Sequence, residues 1–208
     1  MELHYEKLDK NLYVLDDFFS MDEFMPLNDE LHGMYHTFMW KREQHVSKDK
    51  PTWLGLNKKS TYGLGDNMVF LERATKIRWA ISKILKPDFS FKLKRVNTNL
   101  QSPFQDSSFH RDSYRVSDES MERYWGWTFI AFTQTEWDFE WGGEFVCQLG
   151  DKDYRSVSYI PNRCVLFNGD CYHRGSAPNI FAQDVRTSVA WTFVSENTNI
   201  DANSTSRL

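Results

Sequence analysis

The period of the hydrophobic pattern changes near residue 89, and that change restricts what this chain can fold into. Before it, apolar residues recur at helical spacing; after it, from 89 to 194, they recur every second residue. A period of two belongs to extended backbone, whose side chains alternate between faces, so an all-helical fold is excluded. Candidate strands lie at 91–99, 108–115, 124–133, 144–149, 155–160, 164–168, 172–176 and 186–194. Turn-rich pieces such as WGGE, PNRC, FNGD and SAPN separate them. Many short strands at even spacing predict a sandwich or a double-sheet jelly roll. Aromatic residues make up 16% of the chain, with eight Trp, which fits a β-rich core filled by rings.

The first part of the chain reads differently. Residues 12–19 (LYVLDDFF) form a short strand running into a turn. Ser20 followed by Glu23 makes a capping box that starts a helix reaching about Met39. From 41 to 66 the chain is polar and is broken by Pro51, Gly55, Gly63 and Gly65, which predicts a long loop. Such a loop is either a lid carrying Trp53 and Tyr62 over a site, or a connection packed elsewhere. A second helix is expected over 67–86, with Leu71, Ala74, Ile77, Ile81 and Ile84 at helical spacing and Pro87 ending it. The expected class is therefore mainly β with helices (α+β), in one domain. It comprises helical N-terminal support over 1–88, a jelly-roll core over 89–194 and a polar tail over 195–208.

Charge narrows the partners. The chain has 25 basic and 29 acidic residues, a net −4, which gives no bulk electrostatic case for binding nucleic acid. Lys92, Lys94 and Arg95 read as the solvated face of a strand. The three cysteines, Cys147, Cys164 and Cys171, are odd in number and lack C-x-x-C spacing. The N-terminal MELHYEKLDK is too charged for a secretory h-region, and no apolar run approaches a membrane span. A cytoplasmic, reducing setting is expected, which leaves the Asn203-Ser204-Thr205 sequon idle.

The chemistry starts at FHRDSY. In a strand His110 and Asp112 point the same way and can share one metal. Alone this is a weak signal, because six His and 29 acids in 208 residues predict about 0.8 chance occurrences of H-x-D/E. His4-Tyr5-Glu6 is one such decoy. What strengthens it is His173, sixty-one residues on, and Arg186, thirteen further, with Ser188 on the same strand face as Arg186. Two imidazoles and a carboxylate on one face of an octahedral ion leave three positions open. A 2-oxo acid can fill two and dioxygen the third. Arg186 then offers a planar fork to the acid's distal carboxylate, with Ser188 adding a hydrogen bond.

On these residues the chain resembles the Fe(II)/2-oxoglutarate dioxygenase superfamily, within it the prolyl-hydroxylase-like branch. The likeness runs from about Phe89 to Val194 through HRD, EWGGEF around Gly142 and Gly143, YIPNRCVLFNGDCYHRG and the R-x-S pair. It implies a double-stranded β-helix with two helices buttressing one sheet. It implies iron on His110, Asp112 and His173, and 2-oxoglutarate decarboxylated to succinate as a C–H bond of a peptide or small metabolite is hydroxylated. Related iron halogenases lack the carboxylate, so Asp112 favours hydroxylation. Related nucleic-acid repair dioxygenases place an Asn and a Tyr near the offsets of Asn99 and Gln101, contacting the 2-oxo acid; Asn99 could equally satisfy a strand-end turn. Prolyl hydroxylases often carry a Tyr on the strand after H-x-D, and here Thr128 is the substitute. Tyr114, Arg115, Trp125 and Trp141 flank the motifs as candidate pocket residues. His32 and His36 stand i,i+4 on the first helix, without the third ligand a zinc site needs. Two other readings remain: an oxidative demethylase of nucleic acid, and a non-catalytic jelly roll that binds a ligand or metal.

Overall fold

The computed structural model describes residues 2–36, 68–85, 91–103, 106–115 and 123–195. The expected loop over 41–66 and the tail beyond 195 lie outside them. Ten strands and two helices are present among the described residues. In chain order they are β1 (Glu6–Asp9), β2 (Leu12–Leu15), α1 (Met21–His36), α2 (Met68–Leu85), β3 (Phe91–Gln101), β4 (Ser113–Arg115) and β5 (Arg123–Phe132). There follow a 3-10 turn (Phe139–Trp141), β6 (Phe145–Gln148), β7 (Tyr154–Val157), β8 (Cys164–Asn168), β9 (Tyr172–Gly175) and β10 (Arg186–Ser195). The first helix starts at its capping signal, and the second starts at Met68, one residue after its expected bound. The Ser20 backbone N–H donates to Glu23 Oε2 at 2.9 Å and Ser20 Oγ donates to the same oxygen at 3.2 Å, which supplies the Glu-to-N-cap half of the capping box. Neither described helix is long and apolar enough to cross a membrane.

The strands form two antiparallel sheets. The larger runs β1-β2-β8-β5-β10-β3, with β4 added against β5; the smaller runs β7-β6-β9. The polar β1, unread in the sequence, pairs with β2 as an edge strand. β5 and β10 are central and buried on both faces, so their sequences are nearly continuous apolar runs instead of a clean alternation. One face, with Phe129, Val189, Trp191 and Phe193, packs on α1 and α2 through Phe24, Leu27, Phe70 and Ile77. Trp191 is fully buried there and donates its indole N–H to Phe70 O at 2.8 Å, tying β10 to α2. The other face, with Ile130, Phe132, Val165 and Phe167, meets Phe145, Cys147 and Val157 of the smaller sheet. The space between the sheets is where the polar residues of interest converge.

Two local departures decide that convergence. The 108–115 segment is a ladder strand only over Ser113–Arg115; His110 is joined by a single bridge to His173. Its N–H and C=O pair with His173 of β9, while the Asp112 N–H reaches Gly169 O after β8. The segment thus passes from the small sheet to the large one, and His110 and Asp112 face one point from opposite sides of the seam. The second departure is a bulge in β3. Leu93 faces Phe193 and Arg95 faces Thr192, so Lys94 is the extra residue. Lys92 and Lys94 are exposed, as expected for a solvated face, but the bulge turns Arg95 inward. The expectation for Arg95 is corrected on that ground.

Candidate metal centre

His110, Asp112 and His173 offer ligand atoms that all lie within 4.8 Å of one another. Each imidazole is oriented by the chain two residues before it. His110 Nδ1 lies 3.0 Å from Ser108 O, and His173 Nδ1 lies 3.0 Å from Cys171 O. A carbonyl only accepts, so both protons sit on Nδ1 and both Nε2 lone pairs are free. His173 is 4% exposed, whereas His110 is open to solvent. Burial pushes the His173 pKa down to about 4, with His110 adding to the shift and Asp112 opposing it. His173 is therefore a neutral donor at ordinary pH, and its Nε2 at 3.9 Å from Asp112 Oδ2 is a ligand neighbour, not half of an ion pair. Two donors on one ion span about 3 Å when adjacent, so this set, with His173 Nε2 3.9 Å from Asp112 Oδ2, is slightly more open than a closed coordination sphere. Two imidazoles and a carboxylate are the donor chemistry of a non-haem ferrous centre, and these residues fit one.

Asp112 is anchored by a row across the large sheet. Thr128 of β5, Thr192 of β10 and Arg95 of β3 are consecutive register partners. Thr128 Oγ1 donates to Asp112 Oδ2 at 2.7 Å, and Arg95 Nη2 donates to Oδ1 at 2.7 Å. Burial on its own raises the Asp112 pKa, but in the acid range where this carboxyl titrates the protonated His173, with Arg95, His110 and the Thr128 hydroxyl, brings it below the usual carboxylate range. The site holds its carboxylate ionised before any cation arrives. Gly169 lets this happen: a Cβ there would stand 2.6 Å from Asp112 O.

A second row lies further along the same face. Arg186 and Gln101 are register partners, as are Ser188 and Asn99. Arg186 is 2% exposed. Its Nε donates to Gly143 O at 2.6 Å, and its Nη1 donates to Gln101 Oε1 at 2.9 Å and to Ser188 Oγ at 3.3 Å. Nη2 is hydrogen-bonded to no described residue. The guanidinium stands 5.3 Å from the rings of Phe132 and of Tyr159. Burial brings its pKa down to about 10, with Tyr159 and Glu144 opposing, so it stays charged at neutral pH. Gly143, at φ +84°, lies close under this side chain, where a Cβ would come 3.3 Å from Arg186 Cδ.

The structure therefore gathers the sequence candidates into two groups. His110, Asp112, His173 and Thr128 form one, and Arg186, Ser188 and Gln101 the other. Asn99 is half-buried opposite Ser188. The single proton of Thr128 goes to Asp112, and Gln101 holds Arg186 in place. Trp141 is half-buried against Trp137. His32 pairs with Gln134 at 3.2 Å. The sequence does not reveal the roles of two residues, Arg95, which it places on a solvated face, and Tyr159. Arg95 was hidden by the bulge, which no period reveals. Tyr159 is buried and donates to Thr187 O while accepting from the N–H groups of Thr133 and Gln134; an isolated Tyr at a strand end carries no such signal. All three cysteines are free thiols.

Solved structures supply the comparison. A prolyl-4-hydroxylase from Pseudomonas putida aligns with a TM-score of 0.61 at 16% identity, covering 88% of this chain and 92% of that one. A prolyl hydroxylase from Trichoplax adhaerens, in complex with a hypoxia inducible factor oxygen degradation domain peptide, aligns at 0.66 and 12%, covering 89% and 84%. The epimerase SnoN, in complex with Fe3+, alpha ketoglutarate and nogalamycin RO, aligns at 0.59 and 12%, covering 88% and 78%. No family model and no curated protein sequence matches the chain. The fold is that of the prolyl-4-hydroxylase-like 2-oxoglutarate/Fe(II) dioxygenases.

Proposed function

We propose that the chain is an Fe(II)- and 2-oxoglutarate-dependent dioxygenase that hydroxylates a C–H bond of a peptide or small metabolite. One observation carries this reading. Two imidazoles with their Nδ1 protons spent on backbone carbonyls, and one ionised carboxylate, aim three ligand atoms at a common point. The two sheets around that point read as a double-stranded β-helix. When bound, the iron would supply dioxygen activation coupled to decarboxylation of 2-oxoglutarate to succinate and CO2. His110, Asp112 and His173 would hold it. Arg186 has a free Nη2 and a second nitrogen already shared with Ser188, so a distal carboxylate meets a charged, oriented fork. Gln101 positions that fork, and Thr128 positions the Asp112 ligand oxygen. Asn99, beside Ser188 on the inner face, adds an amide to the same pocket. Asp112 also occupies the position that halogenation needs vacant. One solved structure with this fold holds a peptide and another holds nogalamycin RO, so both substrate classes have precedent on this fold.

The test is an anaerobic titration with Fe(II) and 2-oxoglutarate. A visible charge-transfer band from the chelated keto acid is expected, followed by succinate on admitting oxygen. No band at saturating iron and keto acid would sink the assignment; a band without any succinate would leave a binding protein.

A further inference from the structure

Two loops outside the iron site carry the two most exposed large apolar side chains among the described residues. Phe139 is 86% exposed and Phe181 is 71% exposed, with Ile180 beside the latter at 60%. Isolated exposed rings are ordinary, but these stand on loops locked to each other. Asn179 N–H donates to Trp141 O at 2.8 Å, its amide reaches Glu140 O, and Gly142 bridges Pro178. Asp138 Oδ1 accepts from Glu140 N–H at 2.8 Å, and Asn179 Oδ1 accepts from Phe181 N–H at 2.8 Å. A backbone fixed this way presents its rings without a large ordering cost on binding. The charge is one-sided. Residues 134–143 and 176–185 contain Glu136, Asp138, Glu140 and Asp184 and no Lys, Arg or His, and all four acids are exposed.

We propose that this surface docks a segment of a partner polypeptide in which Lys or Arg alternates with apolar side chains. Rings and Ile180 take the apolar residues, and the acidic rim takes the cations. The same rim repels nucleic acid, acidic peptides and anionic membranes. It also disfavours a symmetric pair of this chain, because like patches would set acid against acid. The loops reach the Arg186 pocket, since Gly143 O accepts from Arg186 and Trp137 donates to Gly142 O at 2.9 Å. The docking claim goes beyond the dioxygenase reading, because it needs neither iron nor 2-oxoglutarate.

The experiment is fluorescence anisotropy on the full chain in chelator, with a labelled peptide alternating Leu and Lys and a second alternating Leu and Glu. The Leu–Lys probe is expected to bind, weakening with salt, and the Leu–Glu probe is not. The double variant F139S/F181S should weaken Leu–Lys binding roughly tenfold or more. The charge reversal E136K/E140K should lose the Leu–Lys probe and gain the Leu–Glu probe, with circular dichroism unchanged in both variants. Absence of Leu–Lys binding, binding untouched by both variants, or concentration-dependent self-association that the variants abolish would overturn the proposal. A wild-type chain that binds the probe yet forms no succinate would sink the dioxygenase reading alone.

Discussion

Burial and charge act on Asp112 in opposite directions, and charge wins. The outcome depends on His173, Arg95, His110 and Thr128, which come from different parts of the two sheets, so they can be tested separately. Thr128→Val keeps shape and removes the donor to Oδ2, and should weaken Fe(II) binding roughly 10- to 100-fold in the anaerobic titration. Gly169→Ala should act on the same ligand from the backbone side, because its new methyl collides with the Asp112 carbonyl. At Arg186 the informative change is to Lys. One ammonium cannot reproduce a fork that serves Gly143, Gln101 and Ser188 together. Arg186→Lys should raise the KM for 2-oxoglutarate roughly tenfold or more with a smaller change in kcat, read from succinate formation; an unchanged KM would remove Arg186 from co-substrate binding. At this scale the sequence was informative where spacing alone brings residues together, as with His110 and Asp112. It misled where a partner enters from a bulged strand, as with Arg95, which alternation alone places on the solvated face.

Elements were legible in proportion to how regular they are. The first helix begins at its capping signal, the second begins one residue after its expected start, and the two long central strands stand within two residues of their expected bounds, because a two-faced apolar run admits few alternatives. The H-x-D segment was read as a full strand, and only its last three residues are one. Its backbone is extended but serves two sheets in turn, a distinction that side-chain alternation does not record. The element joints give two stability predictions. Trp191→Ala removes a fully buried ring and the link to Phe70, and should cost about 3–5 kcal/mol in denaturant unfolding. Asp16 and Arg163 join the turn after β2 to the start of β8 through 2.6 and 2.8 Å hydrogen bonds, and Arg163 holds the Asp16 pKa below its usual value. Its folded pKa being depressed, the pair stabilises above the ordinary carboxylate pKa, and this is lost as pH falls through the folded value. Asp16→Asn should therefore cost within about 1 kcal/mol at neutral pH, since the carboxylate is half-exposed, and nothing in strong acid.

On the scale of the whole molecule, the order of chemistry in the chain and its order in space differ. Sixty-one residues separate Asp112 from His173, yet their ligand atoms stand 3.9 Å apart. Strand count and period forecast two layers, but not that β5 would lie between β8 and β10, which follows from non-local pairing. Ligand bound only by the folded chain adds RT ln(1 + [L]/Kd), about 2.7 kcal/mol at a hundredfold excess over Kd. Fe(II) with 2-oxoglutarate should thus raise the melting temperature by roughly 5–10 °C for a chain of this length, and Asp112→Asn should abolish that rise. The crossing of the H-x-D segment from one sheet to the other carries a mechanical meaning. His110 answers to the smaller layer and Asp112 to the larger, so a cation gripping both acts as a rivet through the sandwich. Sliding or splaying of the layers must then loosen the rivet, and hydrogen exchange along β6 and β9 should slow once it is set.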